Sequence, residues 1–203
     1  VDVWIELLNS LQLNPIACMA MAIANDFDGD QWTFYKPPHE DLFELYRLDI
    51  HELNVWKSIL SNACEQLQRG RVVLTEIDSY YLPDTAGTDY RRNHVKTTIA
   101  MHAMSQKRQE LRHFHNRSYH QLQGEDFAKL FRVGEPHDPT FMPFFAEFVR
   151  LDRIQRISDV ELSAVSFALL KKHFARRPER NPVTAYRSRF LEDVEGLKAA
   201  GID

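Results

Sequence analysis

Cysteine is scarce in this chain: 203 residues hold only two, Cys18 and Cys64. Both fall inside helical patterns, which excludes a disulfide framework and points to a reducing, cytoplasmic setting. Long apolar runs are missing as well, and none approaches the roughly 18 residues of a membrane span. A basic leader is absent from the opening VDVWIELLNSLQL, where Asp2 and Glu6 interrupt the apolar positions, so a signal peptide is not read there. Excess positive charge is lacking too. The formal net charge of -4 excludes a strong nucleic-acid binder. Internal repeats and low-complexity tracts are likewise absent.

What is present suits a globular protein. Hydrophobic residues make up 44% and charged residues 27% of the chain, ordinary values for a soluble domain. The length allows one full core, so a single domain over 1–203 is expected. Within it, 1–70 reads as helical with one short strand, 71–123 as an antiparallel sheet and 124–203 as helical. The chain opens at Val1 inside an apolar helical pattern, so truncation at the N-terminus is expected. Charge is uneven: 1–104 hold 8 basic and 15 acidic side chains, 105–203 hold 17 and 14. Lys171, Lys172, Arg176, Arg177 and Arg180 form a basic end, either a solvated helix terminus or a dock for an acidic partner.

Trp4, Leu7, Leu8 and Leu11 recur at helical spacing, predicting a helix from Val1 to about Leu13. Asn14-Pro15 breaks it and Pro15 opens a second. A strand is expected over Gln31–Lys36 and a short helix from His39 to Leu48. Asp49 is expected to cap a helix running to Arg69, stopped by Gly70. VVLTEI, 72–77, is the strongest strand pattern. Strands are expected over 94–104 and 110–116 as a hairpin, with a fourth over 119–123 and a short helix over 125–131. A helix is expected over 140–154. Ser158 with Glu161 reads as a capping box for the next, and Asn181-Pro182 opens the last. Helices, then a small antiparallel sheet, then helices make an α+β class.

Four groups could carry chemistry. His94 follows a polar loop and opens a strand, and imidazole titrates near neutral pH, which suits general-base work. Asn116 closes the strand paired with that one, so its amide could orient the imidazole as a third catalytic member; a turn asparagine is the plainer reading. Either Asn116 or His115 could be the His94 partner, since a one-residue register change swaps faces. The loop with Asp78, Tyr81, Asp84 and Tyr90, together with Lys96, could hold an amine, although such loops are often simply turns. His113, His115 and His120 invite a metal, but no acid or thiol stands at obvious ligand spacing in that strand, and no metal is assigned. Asp26, Asp28 and Asp30 have their glycine at the wrong position for a calcium loop. Cys18 and Cys64 read as core thiols rather than nucleophiles.

The run VVLTEIDSYYLPDTAGTDYRRNHVKTTI resembles a bacterial family of unknown function with a YLPDTxGTxYRxxHxKTT motif. VDVWIELLNSLQLNP, DFDGDQWTFYKPPHEDL and HFHNRSYHQLQGEDF resemble the same family, so the likeness covers nearly the whole chain. A weaker resemblance is to the papain-like amino-terminal domain of the butirosin biosynthesis acyltransferase: an Asp on a strand, a Tyr-Leu-Pro turn, then a His opening the next strand. That likeness implies a papain-like fold and transfer of an acyl or aminoacyl group from a carrier-protein thioester to an amine. It implies His94 as base, Asn116 as orienting residue and a Cys nucleophile upstream of Val1, at a helix start that favours the thiolate. It further implies the loop from Asp78 to Tyr90 as acceptor or thioester-arm site. No cofactor is expected beyond a phosphopantetheine arm as substrate. The implied partner is an acidic carrier protein or an amino-acid:carrier-protein ligase. The rival expectations are a non-catalytic partner of such proteins and a thiol hydrolase.

Overall fold

The structure, a computed structural model, describes residues 1–136, 138 and 140–202. In chain order its elements are α1 (Asp2–Ser10), β1 (Phe27–Asp28), β2 (Gln31–Trp32), α2 (His39–Tyr46), β3 (Asp49–Glu52), α3 (Ile59–Gln68), β4 (Val72–Asp78), β5 (Lys96–Ser105), β6 (Glu110–His115), β7 (Ser118–Gln123), α4 (Gly124–Leu130), β8 (Ala146–Arg150), α5 (Asp159–Phe174) and α6 (Pro182–Ala199). Turns of 3-10 helix occupy Pro15–Ala24, Ser79–Tyr81 and Pro83–Thr85. The α+β class holds. Residues 2–14 and 46–156 form one compact unit; 15–45 and the chain from Ile157 onwards belong to the other. No helix among the described residues is long and apolar enough to cross a membrane.

The first unit is built on a six-stranded sheet in the order β3-β8-β4-β5-β6-β7, with every neighbouring pair antiparallel. β4 is central, and its β-branched run is buried on both sides, as a covered inner strand requires. On one face Val73, Ile77, Ile99, Met101, Leu111 and Leu122 join Ala63 of α3 and Phe127 and Leu130 of α4 in a single core. Ser58 caps α3, its hydroxyl accepting from Ser61 N at 3.2 Å. A bulge between Met101 and Ala103 shifts the alternation of β5 and brings Met104 round to the core side, opposite Leu111. On the other face Leu7 and Leu11, from α1 and the turn after it, meet Val72, His102, Phe114 and Tyr119 around a cavity of about 350 Å³.

Four expected elements differ. The helix expected from Pro15 is a run of 3-10 turns over Pro15–Ala24. The helix expected from Asp49 to Arg69 is a strand followed, after a break, by the shorter α3. The helix expected over 140–154 is replaced by β8. The strand expected over Gln31–Lys36 shrinks to a two-residue arm paired with β1. β3 and β8 form because they pair with each other, Ile50 opposite Val149; that ladder joins segments too far apart for local periodicity to register.

The second unit holds the Pro15–Ala24 turns, the β1–β2 arm, most of α2, and α5 and α6. The capping box of α5 forms as expected, with Ser158 and Glu161 each accepting from the other's backbone N–H. Asn181 caps α6 by accepting from Val183 N at 2.9 Å. Asp41 is completely buried and accepts from Lys172 Nζ at 2.9 Å and meets His173 Nε2 at 2.5 Å. Lys172, itself nearly half exposed, thus reaches from the basic end to a buried carboxylate. Phe27, Trp32 and Tyr186 pack ring against ring at 5.4 to 5.7 Å.

Candidate functional site

The polar residues of the first unit collect where β4 ends, β5 begins and β6 ends, and the sheet divides them between its faces. Asp78 stands opposite Lys96, and Ile77 opposite Thr97. Residues opposite one another share a face. Asp78 and Lys96 therefore lie on the side that α1 covers, and Thr97 lies on the core side with Ile77.

On the α1 side, His94 Nδ1 meets Asp78 Oδ2 at 2.6 Å. Asp78 is the last residue of β4 and also caps the Ser79–Tyr81 turn, its other oxygen accepting from Tyr80 N at 3.0 Å. The Tyr80 ring lies flat on the imidazole, 4.2 Å between centroids with 9° between planes, and Tyr81 meets it edge-on at 6.3 Å. The His94 side chain is 66% exposed, and Nε2 makes no hydrogen bond among the described residues. A carboxylate on Nδ1 fixes the tautomer and leaves Nε2 free to take a proton. Burial and the negative charge of Asp78 push the Tyr81 phenol up, so it stays a neutral hydrogen-bonding group near neutral pH.

On the core side, His115 Nδ1 meets Asp84 Oδ2 at 2.5 Å, and its Nε2 meets Thr97 Oγ1 at 2.8 Å. His113 Nε2 and His120 Nε2 each lie 3.8 Å from an Asp84 oxygen. That separation is too long for a hydrogen bond. Asp84 Oδ1 and both His113 nitrogens are buried without a hydrogen-bond partner. Burial works to raise the Asp84 carboxyl, but the imidazoles of His113, His115 and His120 together outweigh it and hold it well below the usual carboxylate range. Burial pushes His113 down, so it is neutral. No group of three or more His, Cys, Asp or Glu among the described residues is arranged to hold a metal ion.

The expected site residues therefore separate. The partner of His94 is Asp78, which the sequence reading placed with the substrate loop. Asn116 makes no hydrogen bond to His94; its amide lies 3.4 Å from His115 Nδ1. It has a φ of 51° between His115 and Ser118, the left-handed turn position that asparagine tolerates in a two-residue hairpin. His115 does not partner His94 either, because it faces the core. Asp84 is committed to His115 rather than open to an amine. Tyr90 donates to Asp126 at 2.9 Å, and Lys96 pairs with Glu76 at 2.9 Å. Of the substrate group, only Asp78 and Tyr81 stay beside His94. The Asp78 pairing had no strand-register signal: Asp78 stands opposite Lys96, and His94, two residues before β5, reaches it from the end of the loop. The buried Asp84 network had none either, since it depends on how the 79–85 segment folds back.

Cys18 donates to Pro15 O at 3.1 Å, and burial pushes its thiol up to about 11. Cys64 is raised by burial as well and contacts Met104 Sδ at 3.1 Å. Neither is a thiolate near neutral pH, so neither is a nucleophile for His94.

An antiparallel α+β sheet unit with an exposed, carboxylate-oriented histidine at one end of the sheet is the class that fold and site define. The chain belongs to the DUF1839 family: residues 1–151 match the DUF1839 N-terminal domain and residues 159–203 the DUF1839 C-terminal domain. No curated protein matches it.

Proposed function

We propose that this chain is the papain-like part of an acyl- or aminoacyltransferase that takes its group from a carrier-protein thioester. The observation that carries the reading is the His94–Asp78 pair, an imidazole with one nitrogen fixed on a carboxylate, its ring held by Tyr80 and its other nitrogen open. The placement of α1 on the same face of the sheet as Asp78 supports a papain-like arrangement, in which a nucleophile at the start of the first helix faces a histidine from the sheet.

The nucleophile is a cysteine preceding Val1. His94 takes its proton, and the thiolate attacks the thioester carbonyl. The bond to the carrier sulfur breaks, and that sulfur leaves with the proton from His94. An amine then attacks the acyl-enzyme thioester. His94 Nε2 takes the amine proton as the C–N bond forms, and the cysteine leaves as thiolate. Asp78 orients the ring throughout and stabilises the imidazolium. The arm delivering the thioester is phosphopantetheine. Lys171, Arg176, Arg177 and Arg180 offer charge for an acidic carrier protein or its ligase.

The test uses the protein with its natural upstream residues and an aminoacyl-loaded carrier. The acyl-enzyme should be visible as added mass, and His94→Ala should slow transfer by about 10²- to 10⁴-fold. Wild-type turnover by that variant sinks the reading, and tight carrier binding without added mass points to the non-catalytic alternative. One observation favours hydrolysis as a second reading: the His94 side chain is two-thirds open to water, and neither Asp78 nor Asp84 is free to hold an amine. Free acid in place of amide as the product would select it.

A further inference from the structure

We propose that Asp84 is a positioning residue for His94, acting through the Tyr80 ring. The inference rests on the reading of His94 as the working base. Tyr80 belongs to the Ser79–Tyr81 turn and Asp84 to the Pro83–Thr85 turn, and hydrogen bonds make the two turns one piece. Thr85 Oγ1 donates within reach of Ser79 O at 3.1 Å and Leu82 O at 2.9 Å, and Leu82 between them is fully buried. At its start, this piece is tied to the chain just before β5, where Ser79 N and Oγ both reach Val95 O at 2.9 Å. At its far end, Asp84 ties it to His115 on β6, across the whole width of β5, and His115 continues the tie to Thr97. The piece is thus pinned at both ends, and the face of Tyr80 against which His94 stacks is set by both pins.

Stability alone does not account for this cluster. Asp84 is charged and almost entirely buried, and one of its oxygens has no hydrogen-bond partner. Beside it His113 is buried with both nitrogens unpaired. Groups in this condition carry a desolvation cost that an apolar side chain of similar volume avoids. What a carboxylate provides here and an apolar side chain does not is a directional link between the loop and one particular ring on β6. That link fixes geometry, and the geometry it fixes is that of the Tyr80–His94 stack.

The experiment reads that stack directly. The Tyr80 ring lying on the imidazole displaces the His94 ring-proton resonances upfield by its ring current. Tyr80→Leu, which removes the platform, gives the reference for complete loss. Asp84→Asn should move the His94 resonances most of the way to that reference, and should lower kcat for transfer with KM little changed. Thr97→Val, a near-isosteric change at the other end of the chain of contacts, should give the same displacement in smaller degree and covers the case in which Asp84→Asn does not fold. If a folded Asp84→Asn or Thr97→Val protein melts earlier but keeps the wild-type His94 resonances, Asp84 is structural only and the proposal is overturned. The resonances report position whether or not the protein transfers acyl groups. Failure of the functional reading therefore shows as retained activity in His94→Ala with the Asp84 effect on the stack intact.

Discussion

One end of one sheet carries two His–Asp pairs that differ in nearly every physical respect. His94–Asp78 sits on the α1 side, with its histidine in water and one nitrogen open. His115–Asp84 sits on the core side, with its histidine 2% exposed and both nitrogens engaged. The residue types and the short distance between partners are the same, so composition does not separate them. Position relative to the sheet does, since neighbouring strand residues such as Lys96 and Thr97 send their side chains to opposite faces. A buried pair with both nitrogens used has no proton to exchange with a substrate; an exposed pair with one nitrogen free does.

That contrast makes predictions that differ for the two pairs. The largest effect is on activity at the open pair: His94→Ala removes the base yet leaves the melting temperature near wild type, because an exposed ring buries little. Asp78→Asn should follow, with turnover down about 100-fold or more, since an amide lacks the charge that stabilises the imidazolium. At the closed pair the effect moves to stability. His115→Ala leaves the Asp84 carboxylate buried without its main partner and should lower the unfolding free energy by about 3 kcal/mol, read by denaturant titration. If His115→Ala is as stable as wild type, the buried pair is not what holds the loop.

Acid should act on the buried cluster in two stages. His113 is held neutral in the folded state, so below about pH 6.5 the unfolded chain gains a proton that the folded one refuses, and stability falls. Asp84 has a lowered carboxyl pKa in the folded state. Its contribution is complete above about pH 4 and is lost as the pH drops further, through its native value. Thermal melts between pH 8 and pH 3 should therefore decline in both stages. Replacing His113 with Gln should flatten the upper one, and an unchanged slope there would remove His113 from the account. The smallest effect concerns the thiols. Iodoacetamide should label Cys64 before Cys18, because Cys18 is the more deeply buried and its thiol is pushed to about 11.

Legibility of the sequence followed the distance over which each element is decided. β4, β5, β6 and β7 form a ladder of local neighbours, and their alternation is visible from VVLTEI to YHQLQ. The α5 capping box was equally readable, because Ser158 and Glu161 are three residues apart. β3 and β8 were not. DIHE is four residues of mixed character that become a strand only beside β8, and the apolar residues near Phe141 and Phe144 imitate a helical stripe. The same limit applies to the site. His94 stood out by its position after a loop, but its partner Asp78 did not, because the strand register sets Asp78 opposite Lys96 and the loop end brings His94 to it. Asn116 drew attention as a possible orienting residue, while its left-handed φ shows that the hairpin turn employs it. The Asp84–His115 contact is decided by two successive 3-10 turns, for which the sequence offers only Leu-Pro-Asp-Thr.

The position of β8 has a consequence for how the protein is made. It lies between β3 and β4, yet it is the last of the three to leave the ribosome. Until Ala146–Arg150 emerges, β3 has no neighbour and one side of β4 shows bare peptide groups. Such a template pairs with any extended strand that comes near, including another nascent copy. The late strand works as a clasp, and chains halted before residue 146 should be caught by chaperones or found in aggregates, while chains that pass residue 150 close the sheet.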